Sequence, residues 1–195
     1  MMAILTKKNK TRQAPIKLEG ILTGNRIPVD YFETSGTGES DITIHAGSYH
    51  LALKSAQIEM CNIVVYSSIL PGIARKIEKP GHIEHGAVME SIMSVCHAEK
   101  GEHATAGIIY GWLNEKISNK RYGGLVCEHY GNYDEKELER RLKASLEELY
   151  WNGFSDSYLL DDIHILSESF IPRKNYGTAL VALCFTSYYY PVIKP

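Results

Sequence analysis

Residues 62–71 of this chain read NIVVYSSILP. The β-branched run at residues 63–65 predicts a buried strand, because such side chains pack well on a pleated sheet. Pro71, which is followed by glycine, is a strong turn signal, and a proline disfavours helical geometry in the residue before it. Two adjacent hydroxyl side chains, Ser67 and Ser68, should therefore lie at the extended end of this strand.

The composition around this segment is that of an ordinary globular protein. The chain has 195 residues, of which 44% are hydrophobic and 23% are charged, so one domain with a sizeable core is expected. Residues 1–20 are polar and basic without periodicity and predict a mobile basic arm, which leaves a single domain over residues 21–195. The four scattered cysteines lack a C-x-x-C pair and are interpreted as small buried residues.

Charge and hydropathy restrict the partners and the location of the chain. The formal net charge of −2 gives no reason to expect nucleic acid or an anionic membrane as a partner. No apolar stretch approaches the roughly 18 to 20 residues of a membrane span. We therefore expect a cytoplasmic protein that binds neither nucleic acid nor a membrane.

The first third of the chain predicts alternating strands and turns, followed by a helix. Residues 27–32 and 42–45 suit short strands, and the Gly/Ser/Thr-rich residues 34–40 between them suit a loop. The two glycines of this loop resemble a phosphate-binding loop only superficially, and its acidic end argues against a nucleotide site. Residues 48–59 predict a helix with Ser48 as its N-cap.

The remaining two thirds predict more strands and a second helix. Two apolar runs at residues 87–97 and 104–113, joined by a polar turn, predict a β-hairpin. Four leucines between residues 138 and 149 fall on one stripe of a helix, for which Asn132 and Glu135 form a plausible capping box. Further strands are expected at three ranges, residues 123–130, 163–170 and 178–190. About eight strands and two helices predict stacked sheets with the helices outside.

The function of the serine pair is inferred from the resemblance of this segment to a known protein family. Residues 62–71 resemble the self-cleavage site of pyruvoyl-dependent arginine decarboxylases, where an Asn-x4-Ser-Ser-Ile-x-Pro segment is split between its serines. Four other blocks, at residues 36–41, 85–90, 101–108 and 124–128, match the family in the same order. The match closely resembles the bacterial, chlamydial-type members of this family.

The resemblance implies a fold and a reaction. The fold is an α+β, four-layer αββα sandwich that assembles as a homotrimer. The Ser68 hydroxyl attacks the Ser67 carbonyl, the chain divides into residues 1–67 and 68–195, and residue 68 becomes a covalent pyruvoyl group. That cofactor replaces pyridoxal phosphate: it binds the amine of L-arginine and accepts the electrons released with CO2, which yields agmatine.

The resemblance also implies site residues. Asn62 belongs to the active site, and the alternation of a strand allows it to lie on the same side as Ser68, six residues later. Glu128 interrupts an apolar strand and is the proton donor. A buried guanidinium needs a carboxylate opposite it. His50 stands where archaeal relatives have an aspartate, so Asp41 is the preferred substitute, unless it is only a turn residue.

Other interpretations stay open at this stage. The substrate could be another amino acid, such as histidine or lysine, and an unprocessed trimeric scaffold of the same fold would keep the chain intact. A serine hydrolase lacks support because no G-x-S-x-G surrounds either serine. The pair His82-x-x-His85 has no third ligand at a recognised spacing, so no metal site is expected.

Overall fold

A computed structural model describes residues 21–193 of the chain. These residues form two main β-sheets stacked face to face, with one α-helix against each outer surface. The predicted arm at residues 1–20 lies outside the described residues. The elements are β1 (Ile27–Pro28), β2 (Asp30–Ser40), α1 (His50–Ser55), β3 (Asn62–Val65), β4 (Ile69–Pro71), β5 (Arg75–Lys76), β6 (Val88–Glu99), β7 (Ala104–Glu115), β8 (Arg121–Gly131), α2 (Glu135–Gly153), β9 (Tyr158–Phe170), β10 (Tyr176–Phe185) and β11 (Tyr188–Tyr189).

The sheets draw their strands from distant parts of the sequence. One sheet has the order β3-β6-β10-β2-β5, and the other has the order β4-β8-β7-β9. Strand β10 pairs antiparallel with both β2 and β6, whereas β3 pairs parallel with β6 at the edge. The short strands β1 and β11 form a separate two-stranded pair.

Three apolar layers hold this arrangement together. Between the sheets, Tyr31, Ile92 and Tyr110 belong to one buried cluster. On the far side of the five-stranded sheet, residues of α1 such as Ala52 pack against that sheet. On the far side of the four-stranded sheet, the leucine stripe of α2, including Leu142, does the same. The predicted α+β, four-layer αββα sandwich is confirmed.

The predicted hairpin of residues 87–97 and 104–113 is wrong in its pairing, although both strands exist. Strand β6 lies in the five-stranded sheet and β7 in the four-stranded sheet, so the polar turn between them carries the chain from one sheet to the other. Both strands are buried along almost their whole length. Such strands have a neighbouring layer on each face, which is why their apolar character does not alternate.

The predicted glycine-rich loop at residues 34–40 is wrong as well, because β2 runs unbroken through it. Its glycines serve close packing of the helical segment above them. A Cβ atom on Gly38 would overlap the Ser48 carbonyl and stand 2.5 Å from the Ala52 nitrogen. Glycine is therefore required at this point of the strand by the near approach of another backbone.

The chain turns sharply at the end of β2, so residues 42–45 do not form the predicted strand. The Ser40 hydroxyl accepts hydrogen bonds from the backbone N–H groups of Ile42 and Thr43, at 3.1 and 3.4 Å. A π-helical turn, Ile44–Tyr49, follows and leads directly into α1. Ser48 is consequently not an N-cap. It is buried, and its hydroxyl forms a hydrogen bond of 2.9 Å with the Thr178 hydroxyl.

Helix α2 matches its prediction except at the start. Its N-cap is Asp134, whose carboxylate accepts a hydrogen bond of 2.9 Å from the Glu137 backbone, in place of the predicted Asn132. On the exposed face of the helix, Glu137 pairs with Arg141 at 2.7 Å. No helix within residues 21–193 is long and apolar enough to cross a membrane.

Substituting Gly38 by alanine should lower the stability of the fold. The added methyl group must push the helical backbone away from β2, and overpacking of this kind typically costs about 1–3 kcal/mol. Each kcal/mol corresponds to roughly 2–4 °C in the thermal midpoint of a domain of this size. The measurement is thermal unfolding in a Ser68→Ala background, with Gly81→Ala as control because a Cβ at Gly81 meets no atom within 4 Å. Equal midpoints for the two variants would contradict the packing argument.

Candidate active site

The two serines lie where the chain passes from one sheet to the other. Strand β3 ends at Val65, and the next backbone N–H, that of Tyr66, still donates to the Ser91 carbonyl of β6 at 2.7 Å. Two residues later the Ser68 carbonyl accepts a hydrogen bond of 3.3 Å from Val126 of β8. The peptide bond between Ser67 and Ser68 therefore lies in the short segment that connects the two sheets.

The strand before this crossing is less buried than predicted. Strand β3 is an edge strand, and Val64 and Val65 are 44% and 60% exposed in the single chain. Ile69, just beyond the serines, is 68% exposed. Apolar side chains thus flank the serine pair on both sides without being covered by the rest of the described chain.

Ser68 and Glu128 form the central contact of the site. The Ser68 hydroxyl donates to both carboxylate oxygens of Glu128, at 2.9 Å to Oε1 and 2.7 Å to Oε2. Glu128 lies on β8, beyond the short stretch paired with β4, and its side chain is partly exposed. A serine hydroxyl is a weak nucleophile until a nearby base takes its proton, and this carboxylate is placed to do so.

A backbone group completes the arrangement around the Ser67 carbonyl. The N–H of Ile69 donates to that carbonyl oxygen at 3.0 Å, across a tight turn centred on Ser68. If the Ser68 hydroxyl adds to this carbonyl, negative charge develops on its oxygen. A donor already aimed at that oxygen stabilises the charge without rearrangement.

A cavity of about 450 Å³ opens beside Ser68 and Glu128. Helix α2 forms its other wall with Leu149, the last leucine of the predicted stripe, and with three residues that the sequence did not single out, namely Ser145, Glu148 and Asn152. A signal for this wall existed, because spacings of three, four and seven residues place these positions on one helical face. Only the tertiary packing of α2 shows that this face borders the serine pair.

Cys127, which also lines the cavity, is not a competing nucleophile. Burial raises the pKa of its thiol to about 11, and the neighbouring charge of Glu128 acts in the same direction. The thiol therefore stays protonated at neutral pH, and the thiolate is the reactive form. Across residues 21–193, no three His, Cys, Asp or Glu side chains are grouped so that they could hold a metal ion.

Asn62 does not contact the serine pair within one chain. Its side-chain amide donates to the Gly86 carbonyl at 2.9 Å, and it does not line the cavity. The alternation of a strand cannot relate Asn62 to Ser68, because the chain leaves the sheet after Val65. Its catalytic role stays a prediction.

Asp41 and His50 also lie away from the cavity of their own chain. The Asp41 carboxylate accepts a 3.3 Å hydrogen bond from the Asn175 backbone, and its carbonyl accepts one of 3.1 Å from the Asn175 amide. His50 is the exposed first residue of α1. These contacts give Asp41 a turn-stabilising role, and substrate binding by either residue stays a prediction.

Comparison with known proteins decides the family. The model of the family described as pyruvoyl-dependent arginine decarboxylase matches residues 30–189, which include the serine pair and Glu128. The chain belongs to this family. The resemblance drawn from the five sequence blocks is thereby confirmed.

Individual relatives of this decarboxylase family agree. A pyruvoyl-dependent arginine decarboxylase of Chlamydia muridarum is 33% identical in an alignment 191 residues long, which covers 85% of this chain and 94% of that protein. One of Chlamydia abortus is 35% identical in an alignment 119 residues long, which covers 54% of this chain, and this chain spans about 60% of that relative's length. A solved pyruvoyl-dependent histidine decarboxylase aligns with a TM-score of 0.33 and 14% identity, over 60% of this chain and 54% of the other.

Membership implies a covalently bound pyruvoyl group as the cofactor. The described residues fit such a group at position 68. Ser68 has a side chain from which such a group could be made, its hydroxyl contacts the Glu128 carboxylate, and the Ile69 N–H contacts the carbonyl of the preceding Ser67. The adjoining cavity leaves room for a small substrate.

Proposed function

We propose that the chain is a self-processing decarboxylase that converts L-arginine to agmatine and CO2. The pyruvoyl group comes from Ser68, and Glu128 is the proton donor. The observation that carries the proposal is the contact between the Ser68 hydroxyl and the Glu128 carboxylate, at a peptide bond suspended between two sheets. In a chain of this family, that contact joins the residue to be modified with a group that can move its proton.

Self-processing begins when the Ser68 oxygen bonds to the Ser67 carbonyl carbon and its proton passes to Glu128. The peptide C–N bond then breaks as Glu128 passes that proton to the leaving nitrogen, which becomes an amine, and an ester links the two serines. Loss of the α-proton of residue 68 and of its Cβ–O bond releases residues 1–67 with a Ser67 carboxylate and leaves dehydroalanine. Addition of one water and loss of ammonia convert residue 68 to the pyruvoyl group.

Decarboxylation requires the same carboxyl group for a second purpose. When bound, the pyruvoyl group supplies an electron sink for the electrons released with CO2. Glu128 contacts position 68 and can hold a proton at its carboxyl oxygen for delivery to the substrate carbon. This use of one residue in both reactions explains a carboxylate within an otherwise apolar strand.

The cavity supports a cationic amino acid as the substrate. Its lining within the described chain contains two carboxylates, Glu128 and Glu148, and no lysine or arginine. Because Glu128 is assigned to proton transfer at position 68, Glu148 on α2 is the remaining carboxylate of the lining that can bind the substrate side chain. A guanidinium carries a permanent charge and a planar fork of donors that suits a carboxylate.

We further propose that the chain assembles as a homotrimer. Val64, Val65 and Ile69 flank the serine pair and are left exposed by their own chain. Contiguous exposed apolar residues of this kind commonly mark protein interfaces. Asn62, and Asp41 with His50, would take part in catalysis or substrate binding only if a neighbouring chain brought them to the cavity.

The direct test of the proposed function is the intact mass of the purified protein together with product analysis. Two masses are expected, for residues 1–67 and for residues 68–195 with a pyruvoyl group in place of an amino terminus, and arginine should yield agmatine and CO2. A single full-length mass with no turnover would identify the scaffold alternative. A preference for histidine or lysine would overturn the assignment of the substrate.

Two variants, Glu148→Gln and Asp41→Asn, test which of these two carboxylates binds the guanidinium of the substrate. A hydrogen bond to a charged group is worth about 1.5–3 kcal/mol, so loss of the correct carboxylate should raise KM for arginine by roughly 10- to 100-fold. Citrulline has the shape of arginine without its charge, and its binding, measured by competition, should change much less. We expect this pattern for Glu148→Gln.

The matched control for Glu148 is Glu147→Gln, since Glu147 lies next to it on α2 but does not line the cavity. The same selective loss in Asp41→Asn would transfer the role to Asp41 and support a site shared between chains. If both variants lost affinity for arginine and for citrulline to the same extent, neither carboxylate would be the one that binds the charged guanidinium.

A further inference from the structure

A buried carboxylate outside the cavity contacts the residue that precedes the serine pair. Glu90 lies on β6 and is only 3% exposed. It forms an ion pair with Arg26, whose Nε donates to Oε2 at 3.2 Å, and it accepts a hydrogen bond of 2.5 Å from the Tyr66 hydroxyl. A buried charge is costly unless it is paired and hydrogen-bonded, and these two partners satisfy Glu90.

Tyr66 is thereby fixed to the five-stranded sheet in three ways. Its backbone N–H donates to Ser91, its ring packs against Phe185 with the ring centroids 5.7 Å apart, and its hydroxyl donates to Glu90. On the other side of the crossing, Ser68 is held by β8 through Val126 and Glu128. The Ser67 side chain between these two anchors is exposed.

We propose that Glu90 is a positioning residue for self-cleavage and acts through Tyr66. By holding the Tyr66 hydroxyl, it sets the position of the Ser67 carbonyl relative to the Ser68 oxygen. The attack needs the reacting atoms about 3–3.5 Å apart and in line, and a displacement of about 1 Å can cost roughly 100-fold in rate. This inference rests on the self-cleavage proposed above.

Arg26 extends the network to both ends of the described chain. It precedes β1 directly, and its guanidinium lies over the Tyr188 ring of β11, 5.4 Å from the ring centroid. Through Arg26, the Glu90 that holds Tyr66 is thus also linked to the β1–β11 pair.

The test is Tyr66→Phe, which removes one hydroxyl and leaves the pair of Glu90 with Arg26 intact. Cleavage is followed as the appearance of fragment 1–67 after a short labelled pulse of cell-free synthesis. The half-time should lengthen by about 10- to 100-fold relative to the unmodified chain. Glu90→Gln keeps an oxygen that can accept from Tyr66, so it should cleave faster than Glu90→Leu.

Tyr150→Phe is the control that distinguishes a positioning role of Tyr66 from a merely structural one. It also removes one tyrosine hydroxyl, which donates a hydrogen bond of 3.0 Å to the Tyr158 carbonyl. In a Ser68→Ala background, Tyr66→Phe should lower the thermal midpoint no more than this control does. Slowing of cleavage that equals the control, or that parallels a larger loss of stability, would overturn the inference.

The outcome for the unmodified chain distinguishes this inference from the proposed function. If the unmodified chain cleaves and Tyr66→Phe cleaves at the same rate, the positioning role is wrong and the proposed function stands. If the unmodified chain never cleaves, both are overturned.

Discussion

Replacement of Ser68 by alanine should leave one undivided chain that releases no detectable CO2 from arginine. In the proposed mechanism, the variant has no oxygen to add to the Ser67 carbonyl, and residue 68 cannot become a pyruvoyl group. We therefore expect both the division of the chain and the cofactor to be lost together. A denaturing gel, intact mass and release of labelled CO2 measure the two losses on the same preparation.

The matched control is Ser67→Ala, which removes the neighbouring hydroxyl. The proposed attack uses the carbonyl of residue 67 and not its side chain, and Ser67 is exposed, so this variant should still divide. Division of Ser68→Ala would place the nucleophile elsewhere. An undivided wild type that still decarboxylates arginine would contradict the mechanism as a whole.

Replacement of Glu128 by glutamine should lower kcat of the divided protein by about 10² to 10⁴, the usual effect of losing one positioned general acid. The amide cannot donate an acidic proton to the substrate carbon. The measurement is turnover per divided chain, which separates catalysis from processing, with Glu147→Gln as the charge-matched control. Near-normal turnover would show that Glu128 is only a partly exposed carboxylate on β8 with no role in proton transfer.

The same variant should divide more slowly than wild type but still divide in part. The glutamine oxygen can accept the hydrogen bond of the Ser68 hydroxyl, so the geometry at the crossing is kept, although the proton can no longer pass to a carboxylate. The Ile69 N–H remains aimed at the Ser67 carbonyl.

Local sequence patterns predicted many of the helices and strands, but less of how the strands pair into sheets. The leucine stripe of α2 and the long strands β6 and β7 were predictable because periodicity and apolar runs are local properties. Their partners were not, because a polar turn has the same composition whether it joins strands within a sheet or between sheets. Gly38 was mistaken for a loop residue, since no local signal shows that a helical backbone approaches it.

The candidate site was likewise predictable from the sequence only in part. Ser68 and Glu128 were identified through the resemblance, and the structure brings them together. Glu148 could not be connected with them, because its place in the cavity depends on how α2 packs. The Ile69 N–H is a backbone group and has no sequence signal. Asn62 was related to Ser68 by strand alternation, which fails because the strand ends at Val65.

The place of β2 in the five-stranded sheet has a consequence for the divided protein. Strand β2 lies between β10 and β5, and β3 lies beside β6, so residues 1–67 supply two strands to a sheet otherwise built from residues 68–195. A cut between Ser67 and Ser68 thus turns one folded chain into a complex of two polypeptides with a shared core. Its integrity then follows mass action, and neither polypeptide contains the complete five-stranded sheet without the other.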